Sequence, residues 1–295
     1  MSSVAISRSK RFFKKRRGGR SFAGNIMLGL AMTGFAIVFL APVILLVNNA
    51  FKPLHELLRI PPTIWVRDFT LENFFAMGNI FNASLVPFWR YLFNSVFIVG
   101  VGTLGQILLA SMAAYPLAKF EFFGEGFLNR LIIIALMFSP AVTAVHNFLI
   151  MAQLGIIDTY WALIVPSFAS TLGLFLMRNF MSQVPSSLIE AAQIDGSSEF
   201  KTLWRVVMPA VKPAWITLFI LSFQSMWQAT GATVIFTESL KPLPAALTQI
   251  ASGITIARMG EVMAVSLIMF LIPVVIFIIM QSNVLETMTT SGMKE

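Results

Sequence analysis

The sequence predicts an all-α integral membrane protein with six transmembrane helices. Three observations carry that expectation. Hydrophobic residues make up 57% of the chain and charged residues only 12%, with a mean hydropathy of +0.81, whereas a soluble domain carries about 25% charged residues. Six apolar runs approach the roughly 20 residues needed to cross a hydrocarbon core. The basic residues are segregated between the segments that join those runs.

The first run, Ile26–Val47, is too long for the roughly 7–15-residue core of a cleavable signal, and no convincing small-residue cleavage site follows it. A retained first helix is expected. Ahead of it, eight basic residues fall between Arg8 and Arg20. Such a run reads either as a nucleic-acid arm or as a cytoplasmic anchor. The apolar span that follows favours the anchor, with no nucleic-acid partner and the lipid bilayer as surroundings.

Five further spans are expected at Leu92–Leu117, Leu131–Met151, Ala162–Met181, Trp215–Phe236 and Val262–Met280, none with Asp, Glu, Lys or Arg well inside. Six crossings place both termini on one side. With the N-terminus cytoplasmic, fifteen of the 21 Lys and Arg residues fall inside, as the positive-inside rule requires. The expected organisation is a basic cytoplasmic tail over 1–24, a transmembrane domain over 25–285 and a cytoplasmic C-terminal tail over 286–295. A multi-pass location in a cell membrane is expected.

Two segments on the far side look structured. Residues 52–91 carry Pro53, Pro61, Pro62 and dense aromatics, which suits a short interfacial helix. The stretch "ESLKPLPAALTQIASGITIARMGE" has turn residues around an apolar helix that could dip into the bundle or cap it.

The absence of intramembrane charge argues against a proton-coupled transporter, a voltage sensor or a stand-alone channel, whose coupling groups are ionisable. Neutral polar groups remain. Gln224, Gln228 and Gly231 share one face of the fifth span at i, i+4, i+7, beside Trp227. They read either as a substrate path or as helix–helix packing. His55 and His146 are isolated, so no metal site is expected, and cysteine is absent. No G-x-x-x-x-G-K-[ST], H-E-x-x-H or G-x-S-x-G occurs. If ATP is consumed, another chain must bind it.

One polar stretch, 185–213, interrupts the pattern on the cytoplasmic side between the fourth and fifth spans. Ser187-x-x-Glu190 matches a capping box, followed by the short apolar helix of Leu188, Ile189, Ala191, Ala192 and Ile194. Asp195-Gly196 breaks it, glycine being suited to left-handed backbone at a helix end. A second helix is expected from Glu199, with Phe200, Leu203, Trp204 and Val207 on one face and Lys201, Thr202 and Arg205 facing away. Pro209 is expected to stop it, and Pro213 to introduce the next span. The result is an elbow with punctuated ends, which either docks a partner or rests on the bilayer.

"EAAQIDGSSEFKTLWRVVMPAVKP" resembles the E-A-A-x-x-x-G loop of ABC-importer permease subunits in its long form. Glu190, Ala191, Ala192, Asp195, Gly196, Pro209 and Pro213 match by position. Outside the loop, "NNAFKP", "FTLENF", Asn94-Ser95, "AAYPLAKFEFFG" and "LGIIDTYWALI" resemble the carbohydrate-uptake group, near the maltose-type second permease. The resemblance implies a non-catalytic subunit that pairs with a homologous second permease and two ATP-binding subunits, which hold ATP and Mg. It also implies a bacterial cell-membrane location and an extracytoplasmic solute-binding protein that delivers a sugar or oligosaccharide. Ser187, Glu190, Ala191, Ala192, Asp195, Gly196, Phe200 and Pro209 would then form the ATPase-coupling elbow. Asn94, Gln224, Trp227 and Gln228 are candidates for the substrate path. The family commonly reads W-N-E-F where this chain has Trp227-Gln228-Ala229-Thr230, which suggests a divergent branch handling oligosaccharides from polysaccharide breakdown. Amino-acid, peptide or phosphonate import is the alternative within the class.

Overall fold

A computed structural model describes residues 22–82, 86–252 and 258–291, all helical or irregular among those residues. The basic run Arg8–Arg20 and residues 292–295 lie outside them. The chain forms two units, Met1–Val47 and Asn48–Glu295. The helices are α1 (Phe22–Ala50), α2 (Leu54–Leu57), α3 (Glu72–Asn82), α4 (Phe88–Lys119), α5 (Glu125–Leu136), α6 (Pro140–Gln153), α7 (Trp161–Phe168) and α8 (Thr171–Ser182). They continue as α9 (Ser186–Ile194), α10 (Glu199–Thr202), α11 (Met208–Ala210), α12 (Lys212–Trp227), α13 (Leu243–Ser252) and α14 (Met259–Ser291).

Among the described residues, four helical stretches are long and apolar enough to cross a membrane: Gly24–Ala50, Phe88–Lys119, Trp161–Ser182 and Met259–Gln281. Two expected spans differ from the prediction. The third is divided into α5 and α6 by a break at 137–139, because Pro140 disfavours helical backbone at Ser139 and supplies no N–H of its own. The fifth stops at Trp227 rather than Phe236. Gly231 adopts φ +64°, which is not helical backbone, and Thr230, Gly231 and Thr233 around it are weak helix formers. α12 is thus 16 residues long, about 24 Å at 1.5 Å per residue. The fourth expected span keeps its length but is jointed. Ser170 caps α8 by accepting from the Gly173 N–H at 3.0 Å.

α4 is the axis of the larger unit, packed along α7, α8 and α12. Three apolar cores lie along it. Near Phe88, Tyr91 packs with Met77 of α3, Leu243 and Ala246 of α13, and Ala264 and Val265 of α14. Midway, Ile98 meets Met151, Ala162, Ile164, Val234 and Ile235. At the Lys119 end, Ala114 and Tyr115 pack with Met177 and Met181 of α8 and with Ile189, Leu203, Val207 and Met208 of the elbow. Close approach requires small residues: a Cβ on Gly105 would lie 2.2 Å from the Phe168 ring.

Residues 48–74 form a hydrogen-bonded platform that contains α2 and packs against α14. The buried Lys52 ammonium donates to Asn49 Oδ1 at 3.0 Å and to the Thr63 carbonyl. Glu56 accepts from the Thr63 hydroxyl at 3.0 Å and from the Arg67 and Asp68 N–H groups at 3.0 and 3.2 Å. Burial acts to raise the Glu56 carboxyl, but these bonds and Lys52 outweigh it and hold it below the usual range. His55, expected to be isolated, faces Asp68 at 3.3 Å.

Candidate functional site

The elbow between α8 and α12 folds largely as its residues dictate. α9 ends in a full Schellman motif. The Ser197 N–H donates to the Ala192 carbonyl and the Gly196 N–H to the Gln193 carbonyl, both at 2.9 Å, with Gly196 at φ +76°. Ile189 enters the core at the Lys119 end of α4, while Leu188, Glu190, Ala191 and Ile194 are exposed. Ser187, Asp195 and Gly196 are exposed as well, and Ala192 is half-buried.

Three local expectations are corrected. The Ser187/Glu190 capping box does not form: α9 begins two residues earlier than that box requires, after Pro185, with no side-chain cap bond. Ser187 is then already inside the helix. Pro209 does not stop the second helix, which continues to Ala210. Between them lies a π turn, Leu203–Val207, in which the Met208 N–H reaches the Leu203 carbonyl five residues back. The wider turn relieves the clash that a proline ring makes with the preceding helical turn. It also changes the phase of the face. Thr202, expected to point away, is fully buried, and Phe200 is 63% exposed, edge-on to Trp204 at 6.1 Å. After Val211 the chain bends by 82° into α12, with Pro213 in its first turn as expected.

Polar bonds tie this elbow to the bundle. Lys119 at the end of α4 donates to the Ser182 and Val184 carbonyls at 3.3 and 2.5 Å, and Arg178 of α8 donates to the Leu117 carbonyl at 3.4 Å. The two cations cross between neighbouring helices and satisfy carbonyls at both ends. Tyr115 of α4 donates its hydroxyl to Glu199 at 2.8 Å, and Gln193 of α9 donates to the other oxygen of Glu199 at 2.6 Å. Nothing in the sequence marks Glu199 as a partner of a residue 84 positions away.

The remaining candidates separate into two places. Gln224, Trp227 and Gln228 line one groove of about 780 Å³ between α12 and α14, together with Phe223, Ser266 and Phe270. Gln224 and Gln228 are exposed in it, whereas Trp227 is only 2% exposed. The Trp227 ring stacks on Phe223 at 5.6 Å, and its indole N–H donates to the Met269 carbonyl of α14 at 3.0 Å. That carbonyl lies four residues before Pro273, which has no N–H to give it. Trp227 therefore supplies the bond that the proline removes. Gly231, grouped with Gln224 and Gln228 by helical spacing, lies beyond the end of α12.

Asn94 is apart from this groove and fully buried. Its amide donates to the Ser239 and Lys241 carbonyls at 2.9 Å each and accepts from the Tyr160 hydroxyl at 2.7 Å. Here it fastens the connection between α12 and α13 to α4. Ser95 assists by accepting from the Leu243 N–H at 2.7 Å, and α13 caps this end of α4 and α14. Asp158 holds the same connection from the other side. It accepts from the Phe236 and Thr237 N–H groups at 2.8 and 2.7 Å and from the Thr237 hydroxyl at 2.5 Å. The Thr237 hydroxyl first, then the two N–H groups, hold its carboxyl below its ordinary value.

The sequence model of the binding-protein-dependent transport system inner membrane component family matches residues 106–288. Protein LplC of Bacillus subtilis is 31% identical over 236 residues, 79% of this chain and 77% of that protein. The arabinooligosaccharides transport system permease protein AraQ of Halalkalibacterium halodurans is 27% identical over 285 residues, 95% of this chain and 99% of that protein. A chain from the crystal structure of a bacterial ABC transporter involved in the import of the acidic polysaccharide alginate superposes with a TM-score of 0.78. It is 20% identical, and the match covers 90% of this chain and 99% of that one.

Proposed function

This chain belongs to the family of binding-protein-dependent transport system inner membrane components, and on that premise we propose that it is the permease subunit of an ATP-driven sugar or oligosaccharide importer. The elbow carries the reading. Its first helix tucks Ile189 into the bundle and turns Leu188, Glu190, Ala191 and Ile194 outward. A buried anchor beneath an exposed face that includes the small Ala191 suits a helix seated in a cleft of another protein. In this reading the Lys119 end of α4 and the elbow face the cytoplasm. Two ATP-binding subunits there take up α9, and a homologous second permease completes the membrane pathway. Six crossings, with α5–α6 and α12 as jointed or shortened spans, complete the topology.

ATP and Mg are held by the partner subunits, and this chain performs no chemistry on them. Closure of those subunits displaces α9, and the displacement passes through the 82° bend after Val211 into α12. α12 carries the groove residues Gln224 and Gln228, so the elbow and the groove wall move as one element. The groove suits a carbohydrate: the amides of Gln224 and Gln228 meet hydroxyls, and the half-buried Phe223 and Phe270 offer apolar ring surface to sugar C–H groups. The arabinooligosaccharide function of one relative supports an oligosaccharide. A solute-binding protein delivers it at the end of α4 where Asn94 lies.

Affinity purification of the tagged chain from its host membrane, with identification of the bound partners, tests this. An ATP-binding subunit, a second permease and a sugar-binding protein are expected. Recovery of the chain alone, with uptake that needs no ATP, would refute it.

A further inference from the structure

We infer that Glu199 is the positioning residue through which displacement of the elbow reaches α4. The inference rests on the permease reading above. One carboxylate binds three elements: it sits at the start of α10, accepts from Gln193 of α9 at 2.6 Å, and accepts from Tyr115 of α4 at 2.8 Å. The elbow also meets α4 through the apolar Ile189, Leu203 and Val207, and Lys119 of α4 donates to the Val184 carbonyl just ahead of α9. Apolar contacts resist separation but are non-directional, so they specify little about register. Two hydrogen bonds to one charged group fix direction as well as distance.

The phenol side of the link is rigid. The Tyr115 ring is 4% exposed, packed in the core at this end of α4 and edge-on to Phe120 at 5.6 Å. Its hydroxyl has no room to follow a moving partner independently of α4. The elbow side is rigid too, because Gln193 and Glu199 bracket the Schellman turn at Gly196 and close it through their side chains. A force on the exposed face of α9 therefore reaches Tyr115 through a closed turn and one carboxylate. Lys119 and Arg178 hold the same end of α4 to α8, so that end moves with α8 as well.

The test separates transmission from simple bracing. Tyr115→Phe removes the α4 link while leaving the Gln193–Glu199 bond and the aromatic core intact. Glu199→Ala removes both links. Glu199→Gln can keep both, since its amide oxygen accepts the phenol and a flipped Gln193 accepts its NH₂. In the full transporter reconstituted in vesicles, Tyr115→Phe and Glu199→Ala should lower substrate transported per ATP hydrolysed roughly tenfold, the scale of a lost hydrogen bond to a charged group. The ATP-binding subunits should still co-purify, the double variant should be no worse than Glu199→Ala, and Glu199→Gln should stay near wild type. Wild-type coupling in Tyr115→Phe overturns the inference. Loss of the ATP-binding subunits in Tyr115→Phe does so too, because the link would then only brace the docking surface. A wild-type chain that recruits no ATP-binding subunit refutes the permease reading itself, and is distinguishable because it appears before any variant is compared.

Discussion

Replacing Trp227 by Phe tests how α12 is held to α14. The indole N–H donates at 3.0 Å to the Met269 carbonyl, the acceptor left without a helical partner by Pro273. Phe keeps the ring stack on Phe223 but cannot donate. The carbonyl is then stranded beside a side chain that is 2% exposed. An unsatisfied buried polar group costs about 1–3 kcal/mol. A change of 1 kcal/mol moves the midpoint of a chain longer than 150 residues by about 2–4 °C, so thermal unfolding in detergent, followed by the other five tryptophans, should fall by several degrees. The decisive comparison is the same substitution in a Pro273→Ala background. There residue 273 has an N–H for Met269, and the penalty for Trp227→Phe should shrink to the small loss of ring area. An equal drop in both backgrounds would refute the argument that the indole replaces the proline's missing bond.

Three further predictions concern the elbow and the connection after α12. Gly196 stands at φ +76° with open space where a Cβ would be, so substitution there is penalised by backbone conformation alone, about 1–2 kcal/mol for an ordinary L-residue. Gly196→Val should uncouple substrate-stimulated ATPase activity while the subunit still inserts, and Gly196→Asn should be nearly silent; wild-type coupling in the valine variant would show that the turn is dispensable. Glu190→Lys reverses a charge on the exposed face of α9 and should reduce recovery of the ATP-binding subunits several-fold in co-purification, whereas unchanged recovery would move the docking contact elsewhere. Asp158 has a depressed carboxyl in the folded protein, so its contribution is complete above its ordinary value of 3.8 and is lost as pH falls through the lower folded value. Hydrogen exchange at the Phe236 and Thr237 amides should accelerate in that acid range, and at neutral pH in Asp158→Ala; protection unchanged in the variant would mean that the Asp158 bonds do not hold the connection.

Local signals made much of the elbow legible. Asp195-Gly196 announced a helix end, and the Schellman bonds form there because glycine can take left-handed backbone where its neighbours cannot. Pro213 announced the start of α12 for an equally local reason. The π turn was not legible, because the clash at Pro209 can be answered by stopping the helix or by widening it. Packing of Leu203 and Val207 into the core favours widening. Thr202 changed faces as a consequence.

Hydropathy alone identified an apolar helical membrane chain, because the free energy of crossing a bilayer is nearly additive along a segment. It overestimated the fifth span, since hydropathy does not register the left-handed backbone at Gly231 or the weak helix propensity of Thr230 and Gly231. Spacing placed Gln224 and Gln228 on one face, and both do line one groove. The sequence by itself therefore determined the apolar segments and the elbow's turn, which are set by residues close together along the chain. Only the tertiary structure decided that Asn94 is fully enclosed, that Trp227 answers Pro273, and that Glu199 meets Tyr115. Each of those is a hydrogen bond between residues dozens of positions apart, and such a partner is chosen by which helices the bundle brings together.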